Sequence, residues 1–242
     1  MILLLALLAA APSPAELDKA CASGKGPSCF AQAENYKFGR NVRRDLKRAA
    51  ELYRRSCQLG DPDGCAEDAL GLILGRGQYA DPVPALARLD QLCKQDHPLA
   101  CADLAGAFMA GFGSDQARAR APAMLTTACD RGVLSACRTL AANLAEKNDF
   151  DGASKLADRA CSGGDPEGCV LLGDLFNTSD DVLRAGVAYS KACSEGSSAG
   201  CYGQGVLLLK SGADRKGGTA LLKKACKYGE GRACAALEDP FL

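Results

Sequence analysis

The chain of 242 residues carries 29 basic and 29 acidic side chains, so its net charge is zero, which argues against nucleic acid or an anionic membrane as its general partner. Hydrophobic residues make up 48% of it and there are 14 cysteines but no tryptophan. Length alone suggests one or two domains, an expectation that the cysteine spacing replaces with a single array.

The chain opens "MILLLALLAAAPSPA", an apolar run of about eleven residues followed by small ones. This is too short to span a bilayer and has the shape of a signal peptide's apolar region and cleavage site, so residues 1–15 are expected to be a leader, although no basic residue precedes the run. A lipoprotein anchor is not expected, because Cys21 follows the charged "LDKA". Without the leader no membrane insertion is expected. A leading half-helix over Ala15 to Ala22 then carries Cys21.

The stretch "SCQLGDPDGC", Ser56 to Cys65, shows how the cysteines are used. On one continuous helix, residues eight apart lie about 12 Å apart along the axis and roughly 80° apart around it, beyond a disulfide's reach. Gly60 suits a left-handed helix end, Asp61 an N-cap and Pro62 a first helical position. Helix, tight turn, helix is the expected structure, with Cys57 closing one helix and Cys65 opening the next. The preceding "DLKRAAELYRR" places Leu46, Ala49, Ala50, Leu52 and Tyr53 on one face, leaving the basic residues of Arg43 to Arg55 on a solvated one.

All the cysteines fall into pairs of this spacing: Cys21 with Cys29, Cys57 with Cys65, Cys93 with Cys101, Cys129 with Cys137, Cys161 with Cys169, Cys193 with Cys201, and Cys226 with Cys234. Local closure at each turn predicts seven disulfides. Each loop of nine residues contributes roughly 2–3 kcal/mol by the chain-entropy estimate, given an oxidising compartment. The first members step by 36, 36, 36, 32, 32 and 33 residues, the signature of a solenoid. A glycine follows each first cysteine by three residues, with Asp96 the exception. An aspartate precedes it by twelve (Asp45, Asp81, Asp149, Asp181, Asp214), Ser114 and Asp115 standing in for the third unit. In that unit His97 occupies the slot of Asp61 and Asp165, so it reads as an N-cap rather than a catalytic group. "CADLAGAFMAG" continues as the partner helix.

After the third unit four residues are missing while the cysteine spacing stays fixed. The array should therefore keep one uniform, stapled edge and step down at the other. Asn177-Thr-Ser is a glycosylation sequon that carries meaning only in a eukaryotic secretory route. "GADRKGGT", Gly212 to Thr219, lacks the lysine–hydroxyl pair of a phosphate loop and reads as an inter-helix loop. A trailing half-helix over Glu230 to Leu237 completes six full hairpins across 16–242.

The patterns "CAEDALGLILGRG" and "DLKRAAELYRRSCQLGDPDGC" resemble Sel-like (SLR) repeats, relatives of tetratricopeptide repeats. With a cysteine pair in every unit, the chain is similar to the Helicobacter cysteine-rich protein family. It departs from the repeat consensus leucine at Gln32, Asp68 and Gln204. The resemblance implies an all-α fold, a right-handed α/α superhelical solenoid of disulfide-stapled helix hairpins, that binds a protein or peptide and acts as a monomer in the periplasm or outside the cell. It also implies that positions one, five and eight after each second cysteine line the concave face. These are Phe30, Glu34 and Lys37; Ala66, Leu70 and Ile73; Ala102, Gly106 and Met109; Arg138 and Ala142; Val170, Asp174 and Asn177; and Tyr202, Val206 and Leu209. The competing reading of Leu70, Ile73, Met109 and Leu209 is inter-helix packing.

Two other functions fit the same fold, the first being a cell-wall-ligand-binding protein or a β-lactamase-like hydrolase. Some members of the group are described as penicillin-binding or β-lactamase-like, yet the sequence has no Ser-x-x-Lys, Ser-Asp-Asn or Lys-Thr-Gly element. It likewise has no Gly-x-Ser-x-Gly elbow and no His-Glu-x-x-His zinc helix, so neither enzyme activity nor a cofactor is expected. Zinc is disfavoured because eight-spaced cysteines lack close chelating spacing. The second alternative is a disulfide-dependent respiratory-complex assembly factor like the cysteine-rich SLR protein of the mitochondrial intermembrane space.

Overall fold

The computed structural model describes residues 12–239, which form fourteen α-helices and, among the described residues, no strand. They are α1 (Pro14–Ala22), α2 (Gly26–Phe38), α3 (Leu46–Gln58), α4 (Pro62–Leu74), α5 (Pro82–Lys94), α6 (Pro98–Met109) and α7 (Asp115–Asp130). The second half continues as α8 (Leu134–Glu146), α9 (Phe150–Ser162), α10 (Pro166–Thr178), α11 (Val182–Ser194), α12 (Ser198–Ser211), α13 (Arg215–Lys227) and α14 (Gly231–Glu238). No described helix is long and apolar enough to cross a membrane. Most of the expected leader lies outside the described residues. Its last residues do not: Ser13 caps α1 in a capping box with Glu16, and Pro14 and Ala15 form the first turn of that helix.

One edge of the solenoid is uniform. Seven three-residue turns join α1 to α2, α3 to α4 and so on to α13 and α14, each carrying a left-handed residue after the first helix, and all but those at Lys25 and Val133 cap the next helix with a side chain. Asp96 takes that left-handed conformation where the other units have glycine, with φ 64°. Its carboxylate and carbonyl oxygen accept bonds from the Arg131 guanidinium at 2.6, 3.1 and 3.1 Å, which tie the strained turn to the next unit. His97 is the N-cap of α6, its Nδ1 accepting from the amide of Ala100 at 3.3 Å.

All fourteen cysteines are paired across these turns, each within its own eight-spaced pair, with Cα atoms 4.4–4.8 Å apart. The residue before the second cysteine sets the spacing. Where glycine (Gly64, Gly168, Gly200) precedes Cys65, Cys169 and Cys201, the Cα distance is 4.4 Å. Where Ser28, Ala100, Ala136 and Ala233 precede Cys29, Cys101, Cys137 and Cys234, the distance is 4.6, 4.6, 4.8 and 4.8 Å. A side-chain carbon at this position faces the last turn of the preceding helix, so it props the pair open by a few tenths of an ångström.

The opposite edge steps down. Its connections occupy residues 39–45 and 75–81, then 110–114, then only 147–149, 179–181 and 212–214. The four missing residues come out of loops, while most helices stay at 13 residues. The third unit keeps its full length because α7 is extended to 16. Asp45, Ser114, Asp149, Asp181 and Asp214 accept backbone N–H bonds as helix N-caps, whereas Asp81 occupies its cap without a side-chain bond.

The even-numbered helices from α2 to α12 pack successively on one another and form the inner wall, and the odd-numbered helices lie outside them. Small residues let the hairpins close: Ala49, Leu52 and Tyr53 of α3 pack on Cys29 and Ala33 of α2, for example. The basic residues Arg43, Arg48, Arg54 and Arg55 stay exposed. Of the consensus departures, Gln32 is fully buried with Nε2 unpartnered, and Asp68 is buried with Arg88 and Arg54 at 3.3 and 3.9 Å.

Sequence periodicity carries no hint of how the superhelix closes. The connection between α2 and α3 lies against the stapled turns of the last units. The Asn41 amide donates to the Gly196 carbonyl (3.3 Å), the Arg44 amide to the Tyr228 carbonyl (2.9 Å), and the Ser198 hydroxyl to the Phe38 carbonyl (3.2 Å). Gly39 and Gly196 permit this approach. A Cβ on Gly39 would lie 2.8 Å from Ser198 Oγ and from the Tyr228 carbonyl oxygen, and one on Gly196 would lie 2.4 Å from the Asn41 amide nitrogen.

Candidate functional site

Closure turns the inner wall into a chamber lined by α2, α4, α6, α8 and α10. Along α2, residues 30, 34 and 37 follow helical spacing and face inward together. Glu34 accepts from the Tyr53 hydroxyl, and Lys37 Nζ lies 3.2 Å from Glu34 and 2.6 Å from Glu67 of α4. The Phe38 ring sits among three cations, Lys37, Arg40 and Arg138, at 5.0, 4.7 and 5.4 Å from its centroid. Arg40 reaches across to Glu167 and to Asp165 (3.4 Å), and Arg138 of α8 binds Asp165 from the other side at 2.6 Å. The result is a band of alternating charge from the first unit to the fifth. Burial pushes the Glu34 carboxyl up, but Lys37, Arg40 and the Tyr53 hydroxyl outweigh it and hold that carboxyl below its ordinary value.

Two adjoining clefts of about 350 and 320 Å³ open into the chamber and share Lys37, Glu67, Ser135 and Arg138. The first runs between Leu70, Leu74, Ala102, Gly106 and Ala110, with Asp103 in its lining. The second holds Phe30, Glu34 and Arg40. A third cleft of about 200 Å³ lies farther along the inner wall and brings together Val170, Asp174, Asn177, Tyr202 and Val206. There the Tyr189 hydroxyl donates to Asp174 at 2.6 Å, and the Arg232 guanidinium covers the Tyr202 ring at 4.6 Å.

The inner-face positions thus divide. Phe30, Glu34, Lys37, Leu70 and Arg138 line the chamber, and Asp174, Asn177, Tyr202 and Val206 line the third cleft. Ile73 is 1% exposed and belongs to a core cluster, which leaves it no surface for a partner. Leu209 is likewise core, and Met109 packs against the cluster around Leu125. Periodic reading missed Phe38, Arg40, Asp165 and Glu167, which sit at or beside helix ends, and Glu67 and Asp103, each two residues after a second cysteine (Cys65 and Cys101). The signal for the last two was present: acids inside the openings "CAED" and "CADL" of inner-wall helices.

No protein-family model matches the sequence, and no curated protein matches it. Solved structures do match the fold. A protective antigen of uropathogenic Escherichia coli, c5321, displaying an SLR fold, is 21% identical with a TM-score of 0.60 over 93% of this chain. This chain spans 50% of that antigen's length. A Sel1 repeat protein from Oxalobacter formigenes is 16% identical with a TM-score of 0.55, covering 93% of this chain and 100% of that one. The immunity protein Pa5087 from Pseudomonas aeruginosa is 16% identical with a TM-score of 0.54, covering 90% and 84%. Fourteen helices in stapled hairpins and these likenesses give the chain the Sel1-like (SLR) repeat fold, an α/α solenoid.

Proposed function

We propose that this protein is a non-catalytic scaffold, working in the periplasm or outside the cell, that binds a peptide segment of another protein in its inner chamber. The observation that carries this reading is the chamber lining, in which five successive units contribute apolar walls and a band of alternating charge. Such a surface suits a peptide held by apolar anchors and a few charge contacts. The Thr139 hydroxyl donates to the Ser135 carbonyl at 2.8 Å, and no described cysteine is free. Both features support binding over covalent chemistry. Seven disulfides support an oxidising compartment.

Site-specific photo-crosslinking tests the reading. A leucine-sized diazirine residue at Leu74, which lines the first cleft, should yield an adduct with a partner protein in the native envelope or secreted fraction. The same group at Leu183, 85% exposed on α11, should yield none. Adducts from Leu183 and none from Leu74 would place binding on the outer surface and overturn the assignment.

A further inference from the structure

Three carboxylates from three successive units, Glu34, Glu67 and Asp103, converge on one ammonium, Lys37. Glu34 and Glu67 are within ion-pairing distance of it. Asp103 is not. Its side chain is buried to 7% exposure in the wall of the first cleft, and Oδ2 has no hydrogen-bond partner. An ionisable group so placed is costly unless something pairs with it. Burial and the adjacent Glu67 carboxylate hold the Asp103 carboxyl well above the usual carboxylate range. Arg76 is exposed at the cleft's lining and forms no ion pair with it. On the cleft wall Leu70, Ala102 and Gly106 are apolar or bare, the cations Lys37 and Arg138 are already engaged by Glu67 and Asp165, and a Cβ on Gly106 would meet nothing within 4 Å.

We infer that this cleft holds the side chain of a lysine or arginine of the bound peptide, its cation against Asp103 and Glu67 and its aliphatic stem between Leu70, Ala102 and Gly106. The chemistry matches at both ends. A long basic side chain has an apolar stem to cover the walls and a charged tip for the floor, and that tip supplies the partner that Asp103 Oδ2 lacks. An acidic or wholly apolar side chain would leave Asp103 unpaired in a drier site. The inference rests on the chamber as the binding surface and adds which residue the chamber selects.

The test uses the oxidised full chain. Random peptides displayed on phage are selected against it, and the recovered sequences are synthesised with the most frequent basic residue retained or replaced by norleucine. Fluorescence anisotropy then compares wild type, Asp103→Asn and Gly106→Leu, with circular dichroism confirming that each variant is folded. The selected peptides should share a lysine or arginine. Norleucine replacement and Asp103→Asn should each weaken binding by about tenfold or more, and the two changes together should cost little beyond either alone. Gly106→Leu, whose Cβ meets nothing within 4 Å and whose remaining carbons take up the cleft space, should abolish binding. If peptides are lost with Gly106→Leu but are indifferent to norleucine and to Asp103→Asn, the basic anchor is wrong and the chamber stands. If binding survives Gly106→Leu, or if no peptide is recovered, the chamber assignment falls and the anchor falls with it.

Discussion

Alanine substituted at Gly106 and at Gly200, the same change on two inner-wall helices, should shift stability in opposite directions. A helix-interior glycine costs about 0.5–1 kcal/mol relative to alanine. At Gly106 a new Cβ meets no atom within 4 Å, so Gly106→Ala should recover most of that and raise Tm by about 1–4 °C for a chain of this size. At Gly200 the Cβ would lie 2.4 Å from Ala192 Cβ and 2.8 Å from the Cys193 amide nitrogen. Helix α11 would have to retreat against the Cys193–Cys201 bridge. Units with alanine at this position sit 0.2–0.4 Å wider, from 4.6 and 4.8 Å against 4.4 Å, so the frame can give, at a net cost of about 1–2 kcal/mol as overpacking costs run. Thermal melts of the oxidised proteins, followed by helical circular dichroism, measure both. A Gly200→Ala protein as stable as wild type would refute the account of how the residue before the second cysteine sets hairpin spacing, and a destabilised Gly106→Ala would refute the open space read above Gly106.

Reduction of the seven bridges removes a loop constraint of about 2.6 kcal/mol each on the chain-entropy estimate, so the melting curve should move to much lower temperature with residual helicity retained; an unchanged curve would mean that packing alone suffices. Arg40→Met should cost about 2–3 kcal/mol, because it strips a mostly buried cation from Glu167 and Asp165. It should also raise the radius of gyration in small-angle scattering and speed amide exchange at Asn41 and Arg44, and unchanged exchange there would show that the backbone contacts close the turn unaided. In the ligand-free protein, Asp103→Asn should be stabilising at neutral pH. The folded-state pKa of Asp103 lies above its unfolded value because burial and the Glu67 and Glu34 carboxylates outweigh the opposing pull of Lys37 and Arg76, so the wild-type penalty is full above that pKa and is relieved as pH falls through it. The variant's advantage should therefore disappear below the ordinary aspartate range, and a gain that persists in acid would point to something other than the carboxyl's charge.

Much of this architecture is local and could be read locally. A cysteine, a left-handed residue three positions on, a cap, and a cysteine four after that specify a stapled turn whatever surrounds them, which is why even the exceptional Asp96, between Cys93 and Cys101, falls into the same geometry. The placement of the four-residue shortening was legible for the same reason. The chamber was legible in part, since helical spacing brings Phe30, Glu34 and Lys37 to one face, but spacing cannot distinguish Leu70 at a cleft wall from Ile73 in a core. That distinction depends on how far each hairpin rotates on its neighbour. The role of Arg40 was out of reach, because its partners Asp165 and Glu167 lie 125 and 127 residues away and meet it only through the accumulated pitch of four units.

That clasp changes how the array behaves as a polymer. In an open solenoid each unit touches only its neighbours, so repeats can be gained, lost or melted from either end with purely additive effects. Here the Phe38 carbonyl takes a hydrogen bond from Ser198, 160 residues on, and the first unit cannot finish docking until the sixth has folded. Chain synthesis delivers the two partners of this contact in the slowest order, one near the start and the other near the end. The number of units between them is also fixed. Inserting or deleting a single hairpin would carry Gly39 past its seat on Gly196, Ser198 and Tyr228, so this array is held to its count by geometry as firmly as a ring is.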